Sequence, residues 1–303
     1  MLMRRDNNRM QTMLAMPESI RKEIAAMGAA FGPDILERTR ALYAPLMQPS
    51  PDILFAFDLP YGDHPRQQLD VYHKPTARQA PVVVYVPGGG FVSGDKRSDQ
   101  HFYGNVGRWF ARQGIVTAIV NYRLAPDFAY PAGGEDVRAA LQWVRRNIAE
   151  YGGDPEKIFL FGQSAGAAHA ATCLFDPLVR DPASQPVGAI LASGIYAMSA
   201  ERKAPNTLGY YGGDESRYAA MSSINHIANS KIPLFLSLAE YDPISLATPT
   251  LDLATAVARR DGKNPRLFWQ QHHNHVSTVL SFNTGDEVFG RAALDFMRAC
   301  TPF

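Results

Sequence analysis

Cysteine is scarce: Cys173 and Cys300 are the two in a chain of 303 residues. Two are too few for a disulfide framework, and each reads as a small apolar packing residue. No uninterrupted apolar run nears the roughly 18 residues of a membrane span. No long block of like charge occurs either, and thirty basic residues against twenty-nine acidic ones leave a net charge of +1. Binders of nucleic acid or of charged membranes carry a basic stripe, so neither partner is expected. Repeats and low-complexity tracts are lacking. The opening MLMRRDNNRMQTMLAM mixes charges among its apolar residues, unlike the core of a signal peptide. A cytoplasmic protein is expected.

What the chain does contain is ordinary globular material, 46% hydrophobic and 19% charged, long enough for one large domain or two small ones. Residues Pro17 to Met47 predict one or two amphipathic helices, with Ile20, Ile24, Met27 and Phe31 at three- and four-residue spacing. Short apolar runs follow: PVVVYV at 81–86, IVTAIV at 115–120, IFLF at 158–161, AILA at 189–192, PLFLSL at 233–238 and LFW at 267–269. They lack strict alternation, as strands covered on both faces do. Helical stretches separate them, at 100–113, 134–151, 164–175, 245–260 and 285–300. Two alternating segments, 53–57 and 68–72, read as antiparallel edge strands. This predicts an α/β domain with about eight strands, mostly parallel, and helices on both faces. The connection from Tyr196 to Ser230 is too long for a simple crossover and, with the N-terminal helices, can cover the carboxyl edge of the sheet.

The sharpest motif is Gly162-Gln163-Ser164-Ala165-Gly166, directly after IFLF and before an alanine-rich helix. Strand, tight turn and helix are the context of a nucleophile elbow, whose turn tolerates only small neighbours. Ser164 at a helix N-terminus could instead be a plain N-cap. A serine hydroxyl needs a base, and the base an orienting acid, which in elbow enzymes follow in the order Ser, Asp or Glu, His. Downstream strands end in Ala239-Glu240-Tyr241-Asp242-Pro243 and in His272-His273-Asn274-His275. Asp242, further out than Glu240, is the preferred acid, with a helix N-cap as its other reading. His275 at the loop tip is the preferred base, with His273 in reserve. The three histidines could alternatively bind a metal, but no Cys or carboxylate companion stands at ligand spacing. Gly88-Gly89-Gly90 after PVVVYV lets the backbone approach a substrate and aim N–H groups at one point, as an oxyanion hole requires. An inert glycine turn is its other reading. No G-x-G-x-x-G or G-x-x-x-x-G-K-[ST] pattern follows these glycines, which argues against a phosphate loop.

With these elements in register, the chain resembles the hormone-sensitive-lipase-like α/β-hydrolases and the neighbouring kynurenine formamidase-like esterases. The likeness runs through Gly88–Gly90, Ser93-Gly94-Asp95-Lys96, Asn121-Tyr122-Arg123-Leu124-Ala125-Pro126, Tyr130-Pro131, Glu135-Asp136, Trp143-Val144, Tyr151-Gly152-Gly153-Asp154-Pro155 and Gly162–Gly166. It covers most of residues 82–300. It departs at Pro87, where the family's glycine motif usually begins with His, and at Val276, where the lipase-like branch usually has Gly.

The resemblance implies an α/β-hydrolase fold, with a helical cap segment at 1–50 and a catalytic domain at 51–303 that carries a cap insertion near 196–230. It implies Ser164 as nucleophile, Asp242 as acid, His275 as base, and an oxyanion hole from the N–H groups of Gly88–Gly90 and Ala165. Residues Tyr122 to Pro126 are expected to support the fold. The expected activity is cleavage of short-chain carboxylic esters through an acyl-enzyme, with no metal or organic cofactor and a small-molecule ester as partner. An arylformamidase would use the same apparatus, and a ligand receptor without catalysis is the reading from another class. Charged residues in the 196–230 insertion, such as Glu201, Arg202 and Lys203, favour soluble substrates over a lipid surface. Phe91, Tyr210 and Tyr211 are candidate pocket walls. A homodimer is left open.

Overall fold

The apolar runs become the inner strands of one sheet. A computed structural model describes residues 16–303; residues 1–15, the beginning of the expected cap segment, lie outside the described part. The strands are β1 (Leu54–Pro60), β2 (Gln68–His73), β3 (Ala80–Val86), β4 (Val116–Val120), β5 (Gly153–Gln163), β6 (Gly188–Ala192), β7 (Leu234–Tyr241) and β8 (Arg266–Asn274). Their spatial order is β1-β2-β4-β3-β5-β6-β7-β8. β2 runs antiparallel to β1 and β4, and the pairings from β4 through β8 are parallel. Of the two segments expected at an edge, only β1 is outermost; β2 lies one strand in.

Val82, Val84 and Val86 pack on one face, against α4 (Ala132–Asn147), α5 (Ala165–Phe175) and α8 (Ile244–Asp261). Val83 and Tyr85 point the other way, into a second core formed with α3 (Gly104–Arg112) and α10 (Val288–Cys300). Successive side chains of a strand face opposite sides, so an unbroken apolar run serves two cores at once.

The N-terminal segment forms α1 (Glu18–Met27) and α2 (Pro33–Tyr43). Ile20, Ile24, Met27, Ile35 and Tyr43 pack with Val276 and Leu280, which fastens these helices beside the loop after β8. Phe31 departs from the expected stripe. Helix α1 stops at Gly28, whose φ of 57° ends it, so Phe31 falls in the linker and is 57% exposed. The long connection after β6 holds α6 (Pro205–Tyr211), α7 (Tyr218–Met221) and two 3₁₀ turns. A last short helix, α9 (Ser277–Leu280), follows β8 and precedes α10. Among the described residues no helix is long and apolar enough to cross a membrane.

β3, β5, β7 and β8 run the same way, so the segments following them, 87–91, 164–166, 242–243 and 275–277, converge on one edge of the sheet. Ligands of open α/β folds bind outside the carboxyl ends of the strands.

Candidate active site

The turn after β5 is strained where the motif predicts. Ser164 has φ 56° and ψ −124°, a backbone region that costs a non-glycine residue about 1–3 kcal/mol. A Cβ on Gly166 would lie 2.1 Å from the Val86 carbonyl oxygen, and one on Gly162 2.5 Å from the Gly166 oxygen. Only glycine lets the elbow close this tightly on β3. Ser164 precedes α5, yet its side chain makes no capping bond. Its Oγ lies instead 2.9 Å from His275 Nε2.

His275 Nδ1 meets Asp242 Oδ1 at 2.7 Å. A carboxylate only accepts, so Nδ1 carries the hydrogen and Nε2 is left to accept from the serine hydroxyl. Asp242 Oδ2 takes two further bonds, from Ser193 Oγ and from the Ala239 N–H, both at 2.7 Å. Asp242 is 3% exposed, so these three donors hold a carboxylate that would be costly to bury alone. It does not cap α8, whose N-cap is Pro243.

The other candidates in these two clusters turn elsewhere. Glu240 accepts from the His272 N–H at 2.6 Å. His273 Nδ1 meets Ser277 Oγ at 3.0 Å and its Nε2 lies 3.2 Å from Asp286 Oδ2. β8 extends to Asn274 through a bulge at which His272 has φ 68°, so His272 and His273 belong to the strand while His275 leaves it. The three rings share no ligand position.

The glycine loop lies against the elbow. A Cβ on Gly88 would come within 2.5 Å of Gln163 Oε1 and 3.1 Å of Ser164 Cβ. Ala165 opens α5, and first-turn amides have no acceptor within their helix. Pro87, which stands where the family usually has histidine, has its carbonyl held by Tyr122 O–H at 3.1 Å. That bond gives residues 122–126 a definite part in supporting the loop.

Above Ser164 opens a cavity of about 360 Å³. Phe31, Leu36, Phe91, Val92, Ile195 and Val279 supply much of its wall; Asn206 and Ser93 are polar, and no Asp, Glu, Lys or Arg side chain contributes. Phe31 stands edge-on to the His275 ring, centroids 4.9 Å apart. Tyr210 and Tyr211 do not line the cavity, which corrects their expected role. They sit behind its wall, where Tyr210 stacks on Phe91 at 4.7 Å and 3° and Tyr211 meets it edge-on. A pair of tyrosines with almost no exposure is better placed to stiffen Phe91 than to meet a ligand.

The comparisons agree with this architecture. The BD-FAE family matches residues 69–174. The chain is 29% identical to esterase LipQ of Mycobacterium tuberculosis, over 90% of this chain and 73% of that protein. The probable isoprenylcysteine alpha-carbonyl methylesterase ICMEL1 of Oryza sativa subsp. japonica is 41% identical, over 40% of this chain but 28% of its own length. In three dimensions the chain is similar to the esterase of the archaeon Pyrobaculum calidifontis, with a TM-score of 0.69, 22% identity, and 94% and 99% of the two chains covered.

The chain has the α/β-hydrolase fold and is similar to esterases over most of its length.

Several residues around this site had no motif to announce them. Ser193 follows β6, outside any pattern, yet bonds Asp242 with φ at 51°. Asn206, in the connection after β6, donates to the Gly90 carbonyl at 3.1 Å and so ties that connection to the glycine loop. Gln163 was visible only as the variable position of G-x-S-x-G.

Proposed function

We propose that this protein is an esterase that cleaves short-chain, uncharged carboxylic esters, with Ser164 as nucleophile, His275 as base and Asp242 as the acid that orients it. The observation that carries this reading is the unbroken chain of short contacts from Ser164 Oγ through His275 to Asp242, 2.9 and 2.7 Å, at the floor of an apolar cavity. His275 takes the serine proton as Oγ attacks the carbonyl carbon. N–H groups from Gly88–Gly90 and Ala165 stabilise the oxyanion. The protonated imidazole then gives its proton to the leaving alcohol, and water repeats the sequence on the acyl-enzyme.

The cavity supports the substrate class. Its volume of about 360 Å³ is near the low end of ligand pockets, about 300–1,000 Å³, which suits a short acyl chain. An uncharged wall offers nothing to pair an amino-acid headgroup, so neutral esters fit better than an N-formylated amino acid.

A fluorophosphonate separates an esterase using this serine from a receptor on the same fold. It is expected to attach to Ser164, to abolish hydrolysis of nitrophenyl butyrate in step with labelling, and to leave Ser164→Ala unmodified. Ester hydrolysis that persists in fully labelled protein would remove Ser164 from the chemistry.

The alcohol must leave beside the group that protonates it, so Phe31, against His275, borders the alcohol side. Phe31→Ala is expected to lower kcat/KM for a naphthyl ester about five- to tenfold, the worth of one aromatic contact, and for the methyl ester of the same acid far less. Equal losses on both esters would refute this placement.

A further inference from the structure

The side chain of Gln163 lies where the elbow, the glycine loop and the base meet. It is the last residue of β5 and is 3% exposed. Its Nε2 donates to the His275 carbonyl at 3.2 Å, and the same nitrogen is 3.4 Å from His275 Nε2, the ring atom that faces Ser164. Its Oε1 packs on the Cα of Gly88 so closely that no Cβ would fit between them. One amide therefore touches all three parts of the apparatus.

We propose that Gln163 is a positioning residue for the base: it fastens the His275 main chain to the elbow and keeps an uncharged group beside Nε2. This rests on the Ser164–His275–Asp242 reading above and adds the element that sets its geometry.

The His275 carbonyl also accepts from Thr278 Oγ1 at 3.0 Å. That bond lies within the loop and α9, so it orders the loop internally. Only the Gln163 bond crosses from this carbonyl to the strand that carries the nucleophile. A base misplaced by about 1 Å can lose up to a hundredfold in rate, so a cross-tie at this point acts on turnover more than on binding.

The uncharged head matters because of how few charges face the imidazole. Asp242 meets Nδ1, Ser164 meets Nε2, and the Phe31 ring covers an edge. Tyr103 is the other titratable side chain in the cavity wall. On the neighbouring strand end, Glu240 is engaged by the His272 N–H, and Asp286 is paired with His273. Glutamate at 163 would add a second carboxylate within reach of Nε2. An opposite charge at about 4 Å favours the imidazolium by one pKa unit or more. The base would then be protonated, and useless, over a wider acidic range.

Two variants test the proposal by kcat/KM against pH on nitrophenyl acetate, with thermal unfolding to verify folding. Gln163→Met keeps length and volume but has no donor, and is expected to lower kcat roughly ten- to a hundredfold with KM within about twofold and the acid limb unmoved. Gln163→Glu is expected to move the acid limb up by about one pH unit or more. A merely structural role would change melting temperature and leave the limb in place. If Gln163→Met does not fold, the limb of Gln163→Glu decides alone. A folded Gln163→Met with wild-type kcat, or a folded Gln163→Glu with an unmoved limb, overturns the proposal. Failure of the triad reading looks different: Ser164→Ala would then retain activity, whatever stands at 163.

Discussion

Alanine at 164 or at 275 is expected to lower kcat by about 10⁶, and alanine at both positions to lower it no further. In the proposed triad the hydroxyl and the imidazole act as one device: without the base the serine is an ordinary alcohol, and without the serine the base has no proton to take. In enzymes built this way the single knockouts cost about as much as removing the whole triad. Additive losses in the double variant would mean that the two residues work independently, against the 2.9 Å contact between them. Residual turnover of about 10³–10⁴ over the uncatalysed rate is expected to survive in each case, supplied by the oxyanion donors and the cavity. His273→Ala is the control. Its ring is occupied by Ser277 and Asp286, so its loss acts through the ordering of the loop and falls orders of magnitude short of the His275 effect.

The parts of this architecture that were legible beforehand are those in which local chemistry dictates the conformation. The five-residue elbow needs small residues at 162 and 166 because the start of α5 leaves no room for a Cβ at 162 and the end of β3 none at 166, and that requirement is written directly in the sequence. The parallel strands were legible for a similar reason: Val82 through Val86 must satisfy two cores, so no polar residue interrupts them. Strand ends were less so. β5 begins at Gly153 and β8 runs on through His272 and His273, where polar residues continue the ladder without an apolar signal. Contacts made only by the closed fold carried no signal. Phe31 looked like the next step of a helical stripe, and nothing local says that the chain would turn at Gly28 and present that ring to a histidine 244 positions later. Tyr210 and Tyr211 show the converse error, since aromatic residues in an insertion suggest a pocket wall until their neighbours are known. Ser193 was invisible because its partner Asp242 comes from another strand.

The protein is expected to lose stability steeply below about pH 6.5, and His169→Leu to remove a large part of that loss. His169 is on α5, about one turn beyond the elbow, wholly buried with neither ring nitrogen hydrogen-bonded. The rings of Phe91, Tyr122 and Tyr210 surround it at 5.3, 4.4 and 5.0 Å. Burial pushes its pKa down to about 3, because the imidazolium would have no solvent and no counter-charge. In the unfolded chain the same group titrates near 6.5. The folded form therefore holds its full stability above about pH 6.5 and loses it as the pH falls toward 3, because only the unfolded chain takes up the proton. The slope is about 1.4 kcal/mol per pH unit, which gives about 2 kcal/mol between pH 6.5 and pH 5. Leucine has a similar volume and cannot titrate, so urea unfolding should find its advantage over wild type growing by about 2 kcal/mol from pH 7 to pH 5. A constant difference would show that the fold accepts the proton. The same pair of proteins separates two sources of acid inactivation. Acid inactivation that acts through the base should follow changes at 163 and ignore changes at 169. Opening around His169 removes the support under Phe91 and the glycine loop, so it should appear as unfolding, and only in the protein that retains the histidine.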